Sequence, residues 1–201
     1  MSCIFDGHTD TNQQFYIEGT PIPTVEHFKY LGSIISSDGK IEKDVTRRTI
    51  RGWMKWKQLT GVMCDKRMPI QLKGKLHKTA IRPAILYGTE CWASTQQHLS
   101  KLHATEMRML RWSAGVTLLD KVRNIHIRGS CKVAPIIDKV KERRLRWYGH
   151  ILCRPTDHMV NVALSLPTTT RRHGRPPATW LTTAQRDRTQ QQRRIEKYGK
   201  D

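Results

Sequence analysis

Cationic side chains at helical spacing are the residues of this sequence whose types and positions could do chemistry. Lys40, Arg47, Arg51 and Lys55 fall on one side of a segment, Lys75, Lys78 and Arg82 repeat the arrangement, and Lys139, Arg143, Arg146 and His150 follow at steps of four, three and four. Such steps put side chains on one face of a helix. Rows of ammonium and guanidinium groups neutralise phosphates, a mode of binding that releases counterions and positions a duplex without reading its bases. A fourth cluster, Arg171, Arg172 and Arg175 in "RRHGRPPATW", sits on a proline-stiffened loop with Trp180 close behind. Arginine beside an aromatic suits single-stranded nucleic acid, while a nuclear-import patch or a plain linker is an equal reading of that loop.

Catalytic and metal-binding constellations are weaker. Cys91 with His98 or His103 is a conceivable thiol–imidazole pair, without a third orienting residue or an oxyanion loop. Cys153, His158 and His173 supply three zinc-type ligands at a spacing that matches no common finger or knuckle. No cofactor is expected. The five cysteines are odd in number, widely spaced and free of any C-x-x-C pair, so a reduced, intracellular chain of nucleus or cytoplasm is expected.

The whole-chain balance says which partner such stripes serve. Over 201 residues the formal charge is +19 and the pI about 10.2. That excess predicts an anionic partner, with nucleic acid (an RNA–DNA template–primer, RNA or DNA) before an anionic membrane. A membrane is not expected, because "MSCIFDGHTD" has no basic and apolar leader pattern and no apolar run approaches a span. The charge is uneven: residues 1–38 hold one base and five acids, so setting aside their −4 leaves +23 on the remainder. The anion-binding surface therefore belongs beyond residue 38.

The elements that must position these groups follow from periodicity. The expected fold is mainly α, with a small N-terminal β-meander or hairpin, then a basic helical bundle and a poorly ordered, partly helical C-terminal tail. "QFYIEG", "TPIPTV" and "HFKYLGSII" read as strands. Ile41, Val45, Trp56, Leu59 and Met63 share one face of a first helix capped by Ser37 or Asp38. Pro69 opens a second helix carrying Leu72, Leu76 and Ala80, which Pro83 should bend or break. A third runs from Ser94 or Thr95 to Gly115, and Pro135 opens a fourth whose regular course Gly149 should end early. In that fourth helix Ile136, Val140, Trp147 and Ile151 oppose the basic stripe, and Arg144 falls inside the apolar face, where burial would demand a partner.

Five blocks in order, "HFKYLGSIISSDGKIEKDVTRRT", "LHKTAIRPAILYGTECW", "EMRMLRWSAGV", "RLRWYGHI" and "GRPPATW", resemble the C-terminal part of the reverse transcriptase of non-LTR (LINE-type) retrotransposons, over about Phe15 to Trp180. The resemblance implies a division into 1–38, the end of the palm with its primer grip; 39–115, a thumb-like helical bundle; 116–155, connector helices; and 156–201, a basic loop and polar tail. It places Phe28, Tyr30, Leu31 and Gly32 in the hairpin that grips the primer, and makes the basic helices the holders of template–primer. The family's polymerisation needs paired palm carboxylates holding two metal ions. No adjacent Asp-Asp pair occurs in the sequence, so a chain without catalysis of its own is expected. A piece of a longer active polymerase, and an interaction protein for acidic protein or lipid surfaces, are the rival readings; oligomeric state is left open. Without a palm sheet, "FKYLGSII" is expected to present an apolar strand edge with nothing behind it.

Overall fold

The computed structural model describes residues 15–165 and 178–198. Two antiparallel hairpins come first. The short strands β1 (Tyr16–Ile17) and β2 (Thr20–Pro21) pair with each other, as do β3 (His27–Tyr30) and β4 (Ser33–Ser36), so the β region is two hairpins rather than one meander. "HFKYLGSII" is not one strand. Leu31 and Gly32 both take positive φ, 44° and 84°, which is the left-handed geometry of a two-residue turn that matches strand twist. Leucine adopts that region only under strain, so the turn is held from outside.

Helix α1 (Glu42–Gln58) and a short α2 (Thr60–Met63) follow. Val45, Trp56 and Met63 are buried as the periodicity requires, but the cap differs from expectation. Ile41 is the N-cap residue and makes no side-chain cap bond, whereas the Asp38 carboxylate accepts from the Lys40 amide and closes a turn before the helix.

Helix α3 (Ile70–Leu76), a π-helical turn (His77–Ile81) and α4 (Arg82–Leu86) form one continuous rod behind Pro69. Pro83 neither breaks nor ends it. The widened turn lies directly upstream, where the proline ring and missing N–H would disrupt α-type bonding, and Pro83 enters in the first turn of α4, the position that tolerates it. The inward face also differs: Leu72 is exposed, while Lys73, Gly74, His77 and Ile81 are buried.

Helix α5 (Gln96–Ala114) runs as expected from a Thr95–His98 capping box to a left-handed Gly115. Helix α6 (Asn124–Cys131) precedes α7 (Ile136–Leu152), which passes Gly149 without interruption. A main core joins α1, α4, α5 and α7 through Val45, Ile85, Leu102 and Val140, and a smaller one joins α5 and α6 through Leu110, Ile127 and Cys131. Beyond α8 (Met159–Ser165), the helix α9 (Trp180–Tyr198) packs on α7.

Buried charge clusters tie the helices. Glu106, fully buried, accepts from Arg82 (2.6 Å), from Arg128 and from the Ile136 amide, linking α4 to α7. Arg144 is the foreseen exception in the apolar face, and its partners are Asp187 of α9 and Ser94. Asp187 and Thr183 are therefore buried in the C-terminal segment, while residues 188–193 are exposed.

Candidate nucleic-acid interface

Among the described residues the β3–β4 hairpin pairs with no further strand, and it packs on α1 instead. Asp44 accepts from the Ile34 amide (3.0 Å) and from the Trp92 indole N–H (2.9 Å), so one buried carboxylate fastens the hairpin and the loop before α5 to the same turn of helix. One turn on, the fully buried Arg48 donates to Ser33 Oγ (2.6 Å), stands 3.9 Å from Asp44 and lies over the Tyr87 ring at 4.7 Å. Burial, together with the neighbouring Arg51 and Arg47, lowers the Arg48 guanidinium from its ordinary value, and Asp44 opposes the shift. Its Nε and Nη1 have no hydrogen-bond partner among the described residues.

Arg51 covers the turn itself. Glycine is favoured at Gly32 by its φ of +84°, and a Cβ there would stand 3.3 Å from Arg51 Nη1, a close approach that the flexible guanidinium can relieve. Arg143 of α7 donates to the Leu86 carbonyl (2.9 Å), one residue before Tyr87, and stands 3.9 Å from the Glu90 carboxylate. The expected residues Gly32, Arg51 and Arg143 thus meet around the Tyr87–Gly88 turn. Phe28 and Tyr30 are not core residues; their rings stack 6.4 Å apart on the exposed strand, and Leu31 at the tip is 74% exposed.

The remaining expected stripe residues divide. Lys55, Lys75, Lys78 and His150 are exposed, and Arg47 is half-buried with an unpartnered Nε beside Arg48. Lys40 precedes α1 and pairs with Asp38 (3.1 Å). On α7, Lys139 and Arg146 both reach Glu142, at 2.6 and 3.1 Å, and hold its carboxyl below the usual range, which neutralises part of that stripe. Arg82 does not belong on the surface at all: its charge is consumed by Glu106 inside the core. Arg171, Arg172 and Arg175 lie outside the described residues.

The catalytic alternatives gain nothing from the geometry. Partial desolvation by its neighbours, and then the Glu90 carboxylate, push the thiol of the otherwise exposed Cys91 upward, opposite to the shift a thiolate nucleophile needs. The ring of His98 accepts from the Thr95 amide within the capping box, and burial lowers His103. Of the three zinc-type ligands, His173 is outside the described residues and His158 contacts Arg154; no group of three or more His, Cys, Asp or Glu able to hold a metal occurs among the described residues.

Comparison with known proteins finds relatives at low identity. The chain is 25% identical over 179 residues to a putative uncharacterized transposon-derived protein of Caenorhabditis elegans, covering 85% of this chain and 63% of that one. Its relatives are transposon-derived. A second, the probable RNA-directed DNA polymerase from transposon X-element of Drosophila melanogaster, is 25% identical over 140 residues, 68% of this chain and 15% of its own length. The chain thus spans less than two thirds of either relative. No protein-family model matches, and neither does any solved structure.

Asp44, Arg48 and Tyr87 escape sequence reasoning. Asp44 and Arg48 stand four apart within the face that also carries Val45, a spacing that signals an ion pair, but nothing local reveals that a hairpin ten residues upstream would complete it.

Proposed function

We propose that this chain is the nucleic-acid-holding part of a retrotransposon RNA-directed DNA polymerase, gripping template–primer without a catalytic centre of its own. The observation that carries the reading is the meeting of the hairpin tip with Arg48 and Arg51 of α1 at the Tyr87–Gly88 turn. Four arginines, Arg47, Arg48, Arg51 and Arg143, stand there against two carboxylates: Asp44, whose oxygens already hold the hairpin and Trp92, and Glu90, 3.9 Å from Arg143. The excess charge favours a phosphate backbone, and the exposed Phe28–Tyr30 pair and Leu31 offer a strained, projecting tip beside it. In this reading Arg48 and Asp44 fix the hairpin, Arg51 and Arg143 face phosphates, and the exposed Lys55, Lys75 and Lys78 extend the positive field.

The test is Arg51→Ala against a labelled RNA–DNA template–primer. Loss of one phosphate contact should weaken binding and reduce the slope of log K against log salt by about 1. Unchanged affinity and slope would remove the hairpin site from the account. Equal, weak binding to hybrid and to heparin would favour the rival reading, an unspecific partner of acidic surfaces.

A further inference from the structure

A second surface lies around α1 from the hairpin dock. Lys101 of α5 donates to Thr46 of α1 (2.6 Å), and farther along Trp112 of α5 meets Trp53 and Trp56 of α1, with ring centroids 6.4 and 5.4 Å away and near-perpendicular planes. The two helices therefore run side by side in the same direction over about 16 Å, eleven residues of α5 at helical rise. Trp53 and Trp56 also meet each other edge to face at 5.7 Å, so the three indoles form one closed cluster.

This cluster is not simply core. Trp56 is buried, but Trp112 is 59% exposed, and Ile50 beside Trp53 is 53% exposed. Arg108 precedes Trp112 by one turn and Lys57 follows Trp53 by one turn, both exposed. No carboxylate of α1 or α5 is left to neutralise them: Asp44 and Glu106 are buried in the pairs described above, and Glu42 lies 3.5 Å from His98. An open indole flanked by cations to which neither helix offers a carboxylate favours a partner that is flat and apolar in one part and anionic in the next. A nucleotide has that alternation, and successive bases stack on aromatic rings whatever their sequence.

We infer that the valley between α1 and α5 binds single-stranded nucleic acid, with a base stacked on Trp112 and phosphates on Arg108 and Lys57. It stands on different residues from the hairpin site, so a single strand and a template–primer hybrid would occupy separate surfaces of the same chain. Trp112 supplies the stacking surface, Trp53 and Trp56 hold it in place, and Lys101 marks the far end of the track.

The full chain titrated with a labelled short oligo(dT), and with heparin as a polyanion without bases, tests this. Trp112→Ala should weaken oligo(dT) binding about five-fold or more, the effect of one lost stack, with heparin binding unchanged. Trp112→Phe, which keeps a ring, should retain most of the affinity. Oligo(dT) binding that is insensitive to Trp112→Ala would overturn the inference, and so would an equal loss for heparin, which marks a general change rather than a lost stack. If hybrid binding falls with Arg51→Ala while oligo(dT) binding ignores Trp112→Ala, the track is wrong and the hairpin site stands.

Discussion

Gly74 of α3 sits where helix α6 comes closest. A Cβ built there would lie 1.8 Å from the Cys131 carbonyl oxygen, and that backbone atom would have to retreat by about 1.6 Å to reach ordinary contact at 3.4 Å. Cys131 is fully exposure-free in the smaller core, so retreat would open a gap beside Ile127, Leu110 and Val133. Radial gaps of about 0.5–1 Å already forfeit a quarter to a half of a contact's dispersion energy. Against this, alanine in a helix gains about 1 kcal/mol over glycine. Overpacking costs typically about 1–3 kcal/mol, occasionally more, and a backbone obstacle belongs at the upper end. Gly74→Ala is therefore expected to destabilise the chain by about 2 kcal/mol net. Gly149 of α7 has nothing within 4 Å of its Cβ position, so Gly149→Ala should instead stabilise by up to about 1 kcal/mol. Urea unfolding followed by circular dichroism reads both as shifts in midpoint at constant slope. A Gly74→Ala midpoint at or above that of the parent chain would refute the α3–α6 approach and the smaller core built on it.

Three further outcomes are expected. Burial and the nearby Arg82 push the His77 imidazole down to about 3, and neither ring nitrogen has a partner among the described residues. The unfolded chain thus takes up that proton first: stability is full above the ordinary value of 6.5 and declines as pH falls towards 3, by up to about 1.4 kcal/mol per pH unit. His77→Leu should flatten the decline above pH 4.5 or so, where carboxylates contribute little, and an unchanged acid limb in urea titrations would exclude His77 as its source. Asp187→Ala leaves Arg144 buried without its carboxylate, a loss of about 3–5 kcal/mol unless α9 detaches first. Either way proteolysis between residues 180 and 198 should accelerate, and pairing Asp187→Leu with Arg144→Met should recover protection; equal cleavage of parent and Asp187→Ala would contradict the docking. Leu31→Asn relieves the left-handed strain at the turn and should raise stability by about 1 kcal/mol while weakening hybrid binding, measured on one preparation; a stability loss would contradict the turn geometry.

Much of the helical frame is legible in the sequence because its signals are local. Thr95 and Gly115 bound α5 by capping chemistry, Pro69 and Pro135 open their helices, and the 3.6-residue pattern picks out Val45, Val140 and Ile151 as core. Arg144 is legible as a problem, a charge in an apolar face, but its solution lies 43 residues away in α9. Arg82 fails for the same reason: helical spacing puts it with Lys75 and Lys78, and only the fold brings Glu106 to it. Pro83 misleads because a π-turn absorbs what an α-helix could not. At the candidate interface, Gly32, Arg51 and Arg143 are each visible as types in the right segment, whereas their meeting depends on Asp44 and Arg48 docking the hairpin, a long-range pairing that periodicity does not encode.

A surface that holds a template–primer, as proposed, differs measurably from one that attracts any polyanion. Affinities of the full chain for an RNA–DNA hybrid, duplex DNA and heparin across a salt series test the proposal most directly, because bulk attraction shows itself in the salt dependence. The account predicts tighter binding to the hybrid at every salt concentration, with a preference that Arg51→Ala diminishes. Equal affinities and equal slopes for all three ligands would contradict it.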